Sequence, residues 1–494
     1  MLFCIRAWAY RYFSTTYQDE IKTVIHLNKK GIITLLLLFL GLNGCAPDQT
    51  ILEKIKAKKQ LTVVTRNSPT TYYEGPLGYT GMEYDLLTLF AERLGVKLNI
   101  KVNNNLAKII SMVEHNKVDL AAAGLTITNQ RKKQVRFGSV YQEVSQQVIY
   151  RKRSGKKRPR KITDMIGSDI EVVANSSHAE NLRALQKEHP DLQWHENEEI
   201  DSEEILQHVW SQLVDYTISD SNEVALNQRF MPELSVAFTL GESDKLAWAF
   251  PKSIDDSLYN EAISFFSELT RNGTLKQLIN RHYGHVREFN YVGTRAYMRD
   301  IAKKLPQFRK AFQNAAKKYD LDWRLLAAIG YQESRWNPKA VSPTGVKGIM
   351  MLTKNTAKFI GIKNREDIGQ SIEGGAKYFG YMLKKIPDRI QEPDRTWMAL
   401  ASYNVGYGHL EDARKITQWR NGDPDKWVDV KENLPLLAKK AWHTKTRHGY
   451  ARGREPVIYV ENIRNYYELL VWSTTSPKAP RKPPPVIKLT SPVL

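Results

Sequence analysis

The sequence predicts a multidomain protein with an α/β first half and a mainly α-helical second half. A chain of 494 residues is too long for one hydrophobic core, so two or three domains are expected. From about Lys58 to Arg281, short β-like runs alternate with helix-like runs, which favours an α/β domain with a mainly parallel sheet. From about Arg299 to Leu470, apolar residues recur every three or four positions, which is typical of helices.

The N-terminal segment has the pattern of an exported lipoprotein. Lys29 and Lys30 precede the apolar run 32–42, and small residues then lead to Cys45. The run is too short to cross a bilayer comfortably, and the polar residues 48–50 that follow argue against a buried core helix. We therefore expect residues 1–45 to be a signal segment with Cys45 as the lipidated residue.

Two details refine this expectation. Ala46, directly after the cysteine, is typical of lipoproteins sent to the outer membrane, so we predict attachment to its periplasmic face. The charged region before the apolar run is unusually long and contains Asp19 and Glu20, so we predict that translation begins near Leu27.

The sequence of the first half predicts individual strands and helices. Leu61–Val64 is predicted to be a strand, Tyr84–Leu94 an amphipathic helix and Val118–Ala123 a second buried strand. The basic stretch Arg151–Lys161 has no periodicity, which indicates a surface crossing between two lobes or a solvated loop.

Helical spacing dominates the second half up to Trp472. After it, six prolines and scattered lysines fill residues 476–494, which predicts a disordered or polyproline-like tail. The helical runs carry apolar residues at Leu305, Phe308 and Phe312, and along 321–329, 372–383 and 397–404.

The net charge of +20 favours a polyanionic partner. An anionic membrane face or an acidic cell-wall polymer fits; no basic cluster coincides with a nucleic-acid motif, so we expect no nucleic-acid partner. The two cysteines, Cys4 and Cys45, form no CxxC or Cys/His cluster, so neither a zinc site nor a disulfide scaffold is expected. No metal or other cofactor is implied.

The segment around Glu333 carries the sharpest chemical signal. Asp322 is a plausible helix N-cap, and Ile329 and Gly330 belong to the buried stripe that Glu333 continues. A carboxylate there is partly desolvated, which raises its pKa as a general acid requires. A structural glutamate paired with Arg335 is the alternative.

Two later segments support the catalytic interpretation of Glu333. Ser342–Leu352 is a glycine-punctuated turn that contains Gly-Ile-Met-Met-Leu, and Ala399–Gly408 contains Ala-Ser-Tyr-Asn-Val-Gly-Tyr-Gly. With the Glu333-Ser334 pair, these three motifs in order resemble the soluble-lytic-transglycosylase family, whose domain is lysozyme-like. That family usually has Gln where this chain has Met351. The Met-Met pair and the later stretches 449–453 and 459–464 are similar to its branch called membrane-bound lytic murein transglycosylase F, which also has a solute-binding-like N-terminal domain.

The resemblance implies a role for each matching residue. Glu333 would protonate the oxygen between MurNAc and GlcNAc and then accept the proton of the C6 hydroxyl, which closes a 1,6-anhydro ring without water. Ser334, Met351, Tyr403, Asn404 and Tyr459 would contact the substrate, although Tyr403 with Asn404 also fits a helix C-terminus and Tyr459 a packed core aromatic. A hydrolase would need a second carboxylate. The candidates, which we interpret as structural, are Glu366, Asp367 and Glu373.

The first half has the chemistry of a small-ligand site. Gly124, Thr126 and Arg131 follow a predicted strand and suit a carboxylate, while Asp220 ends a later strand and suits an amine. This pattern resembles the periplasmic amino-acid-binding family, which implies two lobes closing on an amino acid or a muropeptide, with Tyr72 or Tyr73 stacked on it. The alternative is that Arg131 and Asp220 only cap or bridge the lobes. The loop 175–177, Asn-Ser-Ser, departs from the glycine of many family members, which leaves the ligand open.

The expected organisation is therefore a signal segment (1–45), a solute-binding-like domain (46–288), a lytic transglycosylase domain (289–475) and a tail (476–494). Three functions compete: an anchored lytic transglycosylase acting on peptidoglycan glycan strands, a periplasmic sensor with a non-catalytic second half, and a lysozyme-type hydrolase.

Overall fold

The structure is a computed structural model that describes residues 49–75, 78–152, 158–284, 291–342 and 345–475. The predicted signal segment, Cys45 and the proline-rich tail lie outside the described residues, as does much of the basic stretch 151–161.

The strands and helices alternate up to residue 250, and helices alone follow. The strands are β1 Gln60–Thr65, β2 Tyr73–Gly75, β3 Gly78–Thr80, β4 Lys97–Val102, β5 Leu120–Ala121, β6 Arg136–Arg151, β7 Glu171–Val173, β8 His195–Asn197, β9 Tyr216–Asp220 and β10 Leu234–Phe250. The helices are α1 Ile51–Lys58, α2 Met82–Leu94, α3 Leu106–Glu114, α4 Ser177–Gln186, α5 Ser202–Ser211, α6 Ser221–Asn227, α7 Ser257–Arg271, α8 Thr274–Tyr283, α9 Tyr291–Lys303, α10 Leu305–Lys318, α11 Trp323–Ser334, α12 Lys354–Ile360, α13 Ile368–Lys385, α14 Asp394–Val405, α15 Tyr407–Trp419, α16 Trp427–Asn433, α17 Lys440–His443 and α18 Arg454–Thr474.

The main sheet of the first half has the strand order β4-β1-β5-β10-β6-β9 within the described residues. β1 pairs in parallel with β4 and β5, whereas β10 with β5, β10 with β6, and β6 with β9 are antiparallel pairs. The prediction of a mainly parallel sheet is therefore wrong. The reason is that β6 and β10, of 16 and 17 residues, pair along almost their whole length, which a prediction from short apolar runs does not reveal.

Separate hydrophobic clusters fill the two lobes of the first half. One is built from α3 and the strands around Val64 and Ala121, another from α4, β7 and β9 around Leu182 and Ile218, and a further one from α5 and α6 around Ile205. α5 begins with a capping box in which Asp201 accepts from two backbone N–H groups and Glu204 returns a bond to the Asp201 N–H. These separate clusters and a shared pair of long strands produce the two lobes that the sequence pattern led us to expect.

The second half is a helical domain with a single extended core. Most of its buried side chains come from α10, α11, α13, α14, α15 and α18, with Phe312, Ile329 and Phe379 among the deepest. None of the helices in the described ranges is long and apolar enough to cross a membrane.

α18 contacts both halves of the chain. Near its C-terminus, Glu468 forms an ion pair with Arg229, and the Trp472 ring lies 5.2 Å from that of Phe230. In its middle, the buried Arg464 donates from Nη2 to the backbone carbonyls of Asn280 and Arg281, at 3.2 and 3.0 Å. One helix therefore carries most of the polar contacts described between the two halves.

Candidate functional site

Glu333 lies in the last turn of α11, whose local sequence fixes both ends of the helix. Asp322 accepts from the Arg324 backbone N–H at the N-terminus, and residues 326–331 are buried. The helix ends at Arg335, which has a left-handed backbone with φ 53°. The following Trp336 folds back into the core, where its Nε1 donates to the Ala327 carbonyl at 2.8 Å.

The Glu333 side chain is half-buried and is held by one phenol. The Tyr459 hydroxyl, from α18, donates to Glu333 Oε1 at 2.6 Å. Burial raises the pKa of Glu333 from its ordinary value of 4.5 to about 7, and the hydrogen bond from Tyr459 only partly opposes this shift. No described charged side chain contributes to the shift. The carboxyl group can therefore hold or release a proton near neutral pH.

Tyr459 is suited to remain a donor. It is buried, and both this burial and the neighbouring Glu333 carboxylate raise the pKa of its phenol well above the usual value. The phenol therefore keeps its proton and directs it at Oε1, which leaves Oε2 as the oxygen that carries the exchangeable proton of a neutral Glu333.

An aromatic wall extends from Tyr459. The Tyr403 ring, from α14, stacks on Tyr459 with 6.4 Å between centroids, and Tyr378, from α13, packs against Tyr403 at 5.2 Å. The Tyr403 hydroxyl donates to the Met350 carbonyl at 3.5 Å. Sequence reasoning missed Tyr378 because nothing in its local pattern distinguishes it from a helical core residue.

The loop 345–352 is fastened to α11 by Ser334. Its hydroxyl donates to the Ile349 carbonyl at 2.8 Å and accepts from the Asn337 backbone N–H at 3.1 Å. Gly348 makes the loop possible, since its φ is +86° and a Cβ atom there would lie 1.8 Å from the Arg365 carbonyl oxygen. The geometry gives Ser334 a role in holding the loop.

The other two predicted substrate contacts are more open. Met351 is half-buried with a left-handed backbone, φ 46°, whereas its neighbour Met350 is fully buried beneath the loop. Asn404 is exposed at the end of α14. The structure thus brings Glu333, Tyr403 and Tyr459 together and leaves Asn404 on the surface beside them.

The three alternative carboxylates have other partners. Lys347 Nζ lies 3.0 Å from Glu366, and Lys318 Nζ lies 2.5 Å from Glu373. Asp367 caps α13 by accepting from the Gln370 backbone N–H at 2.8 Å. Each therefore has the structural environment expected of a surface or capping carboxylate. No cluster of three or more His, Cys, Asp or Glu side chains suited to a metal ion occurs in the described part of the chain.

In the first half, Gly124, Thr126, Arg131 and Asp220 all line one small cavity between the two lobes. Its volume of about 20 Å³ is room for little more than one water molecule. The predicted residues therefore converge, but the lobes are closed upon them.

Arg131 and Asp220 are also paired within the protein. Arg131 donates to the carbonyls of Thr126 and Asn175, each at 3.1 Å, and Asp220 lies 3.0 Å from His178 Nε2. Although burial alone lowers the pKa of His178, the Asp220 carboxylate raises it above its usual value. Arg131 thus bridges the lobes through Asn175, whereas Asp220 and His178 belong to the same lobe.

Two further cavity residues were missed. Arg66 follows β1 and pairs with Glu223 of α6 at 3.1 Å, and both side chains are nearly buried. The position of Arg66 at the carboxyl end of a parallel strand was a usable signal, since ligands bind at that edge of α/β sheets.

Tyr72 does not line the cavity, contrary to its predicted role. Its ring stacks on Tyr79 at 4.9 Å and packs against Tyr84 at 5.5 Å. The prediction placed an aromatic residue by chain position, and this ring packs instead against Tyr79 of β3 and Tyr84 of α2.

Comparison with known proteins identifies a protein family for each half of the chain. Residues 61–285 match the profile of bacterial extracellular solute-binding proteins, family 3, and residues 310–426 match the transglycosylase SLT domain. These matches confirm the predicted fold class. Among solved structures, the first half is similar to a P235GK mutant of the arginine-binding protein from T. maritima (23% identity, TM-score 0.43, 47% of this chain and 99% of that chain). It is also similar to the cysteine-binding protein from Campylobacter jejuni (19%, TM-score 0.43, 49% and 97%).

Relatives extend over most of the chain. Membrane-bound lytic murein transglycosylase F 1 from Alkalilimnicola ehrlichii is 50% identical over 422 residues, which are 85% of either chain. The Saccharophagus degradans membrane-bound lytic murein transglycosylase F is 48% identical over 424 residues, 86% of this chain and 84% of the relative. That of Pseudomonas syringae pv. syringae is 49% identical over 440 residues, 88% of each chain. The chain belongs to the membrane-bound lytic murein transglycosylase F family.

Proposed function

We propose that this protein is a lytic transglycosylase that cleaves the β-1,4 bond between MurNAc and GlcNAc of peptidoglycan without water. The observation that carries the proposal is Glu333, a half-buried acid with a pKa near 7 and no charged neighbour contributing to that value among the described residues. Such an acid is protonated often enough at neutral pH to donate and ionised readily enough to accept. The family to which the chain belongs is named for this activity on murein.

The reaction follows from a single carboxyl group. Glu333 donates its proton from Oε2 to the glycosidic oxygen while the bond from that oxygen to C1 of MurNAc breaks. The C6 hydroxyl of the same MurNAc then attacks C1, and Glu333 takes its proton, which restores the starting state. The attacking hydroxyl is held next to C1 by its own ring, so its effective concentration is high and no second carboxylate is needed.

Tyr459 and Ser334 act through other groups in this scheme. Tyr459 fixes Oε1 and so orients the carboxyl group, and Ser334 holds the loop 345–352 against α11. Tyr403, Met351 and Asn404 line the region where the sugar would lie.

Mass spectrometry of peptidoglycan digests tests this proposal. Wild type should release products that are lighter by one water than those of a hydrolase, and Glu333→Gln should release none. Glu373→Gln is the matched control, since it removes a carboxyl group that is paired with Lys318 on the surface. Products that contain the added water would show a hydrolase, and unchanged activity of Glu333→Gln would overturn the assignment of the acid.

We also propose that the interlobe cavity is the site for an amino acid or a muropeptide. Arg131 suits a carboxylate and Asp220 an amine, and both line the cavity with Thr126. Because the cavity is small, binding requires the lobes to separate and the ligand amine to replace His178 beside Asp220. Calorimetry of the full chain with muropeptides and amino acids tests this, with Asp220→Asn as the variant that should lose the heat of binding.

We further propose the domain limits 46–288 and 289–475, and attachment through a lipid on Cys45 to the periplasmic face of the outer membrane. The relatives are named membrane-bound, which supports membrane association. Membrane fractionation of cells that express Cys45→Ser tests the anchor, since the variant should move to the soluble fraction.

A further inference from the structure

A strongly basic surface segment lies next to the candidate site. Residues 433–454, here called the basic segment, contain six Lys or Arg residues and no Asp or Glu. Lys440, Lys445 and Arg447 are exposed. The ion pairs described at the ends of the segment involve other residues, Lys431 with Glu461 and Arg452 with Glu455. The three cations therefore have no carboxylate partner among the described residues.

The basic segment is held in place by the fold. The backbone N–H groups of Arg447 and His448 both donate to Asp412, which is buried, at 3.2 and 2.7 Å. At its end, Gly453 lies so close to the Leu434 carbonyl that a Cβ atom would be 1.7 Å from the oxygen. The cations are thus presented by an ordered backbone, which lowers the entropy lost when they bind a partner.

Two contacts place the basic segment at the rim of the site. The His448 ring packs on Gly408, where a Cβ atom would lie 2.6 Å from Cδ2, and Gly408 follows Asn404 by four residues. The segment also runs directly into α18, whose Tyr459 holds Glu333. A polymer that reaches Glu333 past Asn404 would therefore meet the basic segment at His448 and Arg447 first.

We infer that the basic segment binds the free carboxylates of the peptide stems and so makes the enzyme prefer glycan whose stem carboxylates are free over glycan whose stem carboxylates are blocked. The inference rests on the proposed function. The lactyl carboxyl group of each MurNAc is engaged in the amide bond to its stem, so the free carboxylates of this polymer belong to the peptide stems. Lys and Arg side chains bind carboxylates, and Arg does so with two parallel hydrogen bonds.

The test uses the full chain and two substrates: glycan strands with intact peptide stems, and the same strands with the stem carboxyl groups converted to uncharged amides. The variant is Lys440→Gln/Lys445→Gln/Arg447→Gln, and chromatography of anhydro products gives kcat and KM. Three exposed ion pairs of ordinary strength correspond to about a tenfold rise in KM on the strands with free stem carboxylates (about 1.4 kcal/mol). The KM on the amidated strands should stay unchanged. The wild-type preference should also weaken as salt is raised.

The control variant removes the same number of charges from the first half, at Lys108, Lys117 and Lys187, which are exposed. It should retain the preference, and a loss equal to that of the basic-segment variant would show only an effect of net charge. If wild type cleaves both substrates equally well, the inference fails and the proposed function stands. If wild type cleaves neither, the proposed function itself fails. Unchanged cleavage together with weaker sedimentation on phosphatidylglycerol vesicles would overturn the inference in favour of a lipid partner.

Discussion

Replacing Tyr459 by Phe isolates the hydrogen bond that holds Glu333. The variant keeps the aromatic ring that stacks on Tyr403 and removes only the hydroxyl that donates to Oε1 at 2.6 Å. That donor stabilises the ionised carboxylate, so its loss raises the pKa of Glu333 above the wild-type value of about 7.

The size of the shift follows from the strength of the lost bond. A hydrogen bond to a charged group contributes about 1.5–3 kcal/mol. Since about 1.4 kcal/mol corresponds to one pH unit, the pKa of Glu333 in the variant should rise by about one to two pH units.

The assay is the pH dependence of kcat/KM, measured between about pH 5 and 10 by chromatography of anhydro products. The step that breaks the glycosidic bond requires the protonated acid, so activity falls as the pH rises through the pKa of Glu333. The alkaline limb should lie near pH 7 in wild type and at least one unit higher in Tyr459→Phe. The maximal rate should fall, because the carboxyl group loses its orientation.

Tyr403→Phe is the matched control. Its hydroxyl donates to the Met350 carbonyl and not to Glu333, so the alkaline limb should stay at the wild-type position whatever happens to the rate. A limb that stays in place or moves to lower pH in Tyr459→Phe would refute the assignment of the limb to Glu333.

For three other substitutions the structure determines whether the free energy of unfolding rises or falls. Glu333→Gln should raise the free energy of unfolding at pH 8 by up to about 3 kcal/mol and leave it unchanged at pH 4. The reason is that the stability linked to the raised pKa of Glu333 is complete below about pH 4.5 and is lost as the pH rises through about 7. An equal gain at both pH values in urea unfolding would contradict this. Asp394→Asn should show the same pattern with activity retained, since burial raises the pKa of Asp394 to about 6. Gly348→Ala should cost several kcal/mol because its Cβ would meet the Arg365 carbonyl, whereas Gly345→Ala, with φ +76° in open space, should cost about 1 kcal/mol. Similar losses for the two glycines would show that strain, and not the close contact, dominates.

Much of the helical site could be predicted from local sequence. Glu333 follows Ile329 and Gly330 by four and three positions, so helical geometry alone places it on the apolar stripe of α11. The cap at Asp322 also follows from local rules, since a side chain and its own backbone decide it.

What could not be predicted depends on contacts between distant elements. Tyr459 lies 126 residues from Glu333, and its pattern in α18 fits an ordinary core aromatic, so only the packing of two helices reveals the hydrogen bond. The antiparallel pairing of β6 with β10 and the pairing of Asp220 with His178 are of the same kind. Local periodicity carries no information about which partner a buried polar group finds.

The position of Tyr459 on α18 also connects the acid to the first half of the chain. α18 is one helix of 21 residues, and its C-terminal half is held by Arg229 through Glu468 and by Phe230 through Trp472. The hydrogen bond to Glu333 is short, and such bonds weaken steeply once the two oxygens separate beyond about 3 Å. A shift of α18 by half an ångström away from Glu333 would therefore raise the pKa of the acid in the same direction as removing the hydroxyl. We therefore expect Arg229→Ala, which removes the ion pair with Glu468, to move the alkaline limb of kcat/KM to higher pH, and an unmoved limb would contradict this coupling.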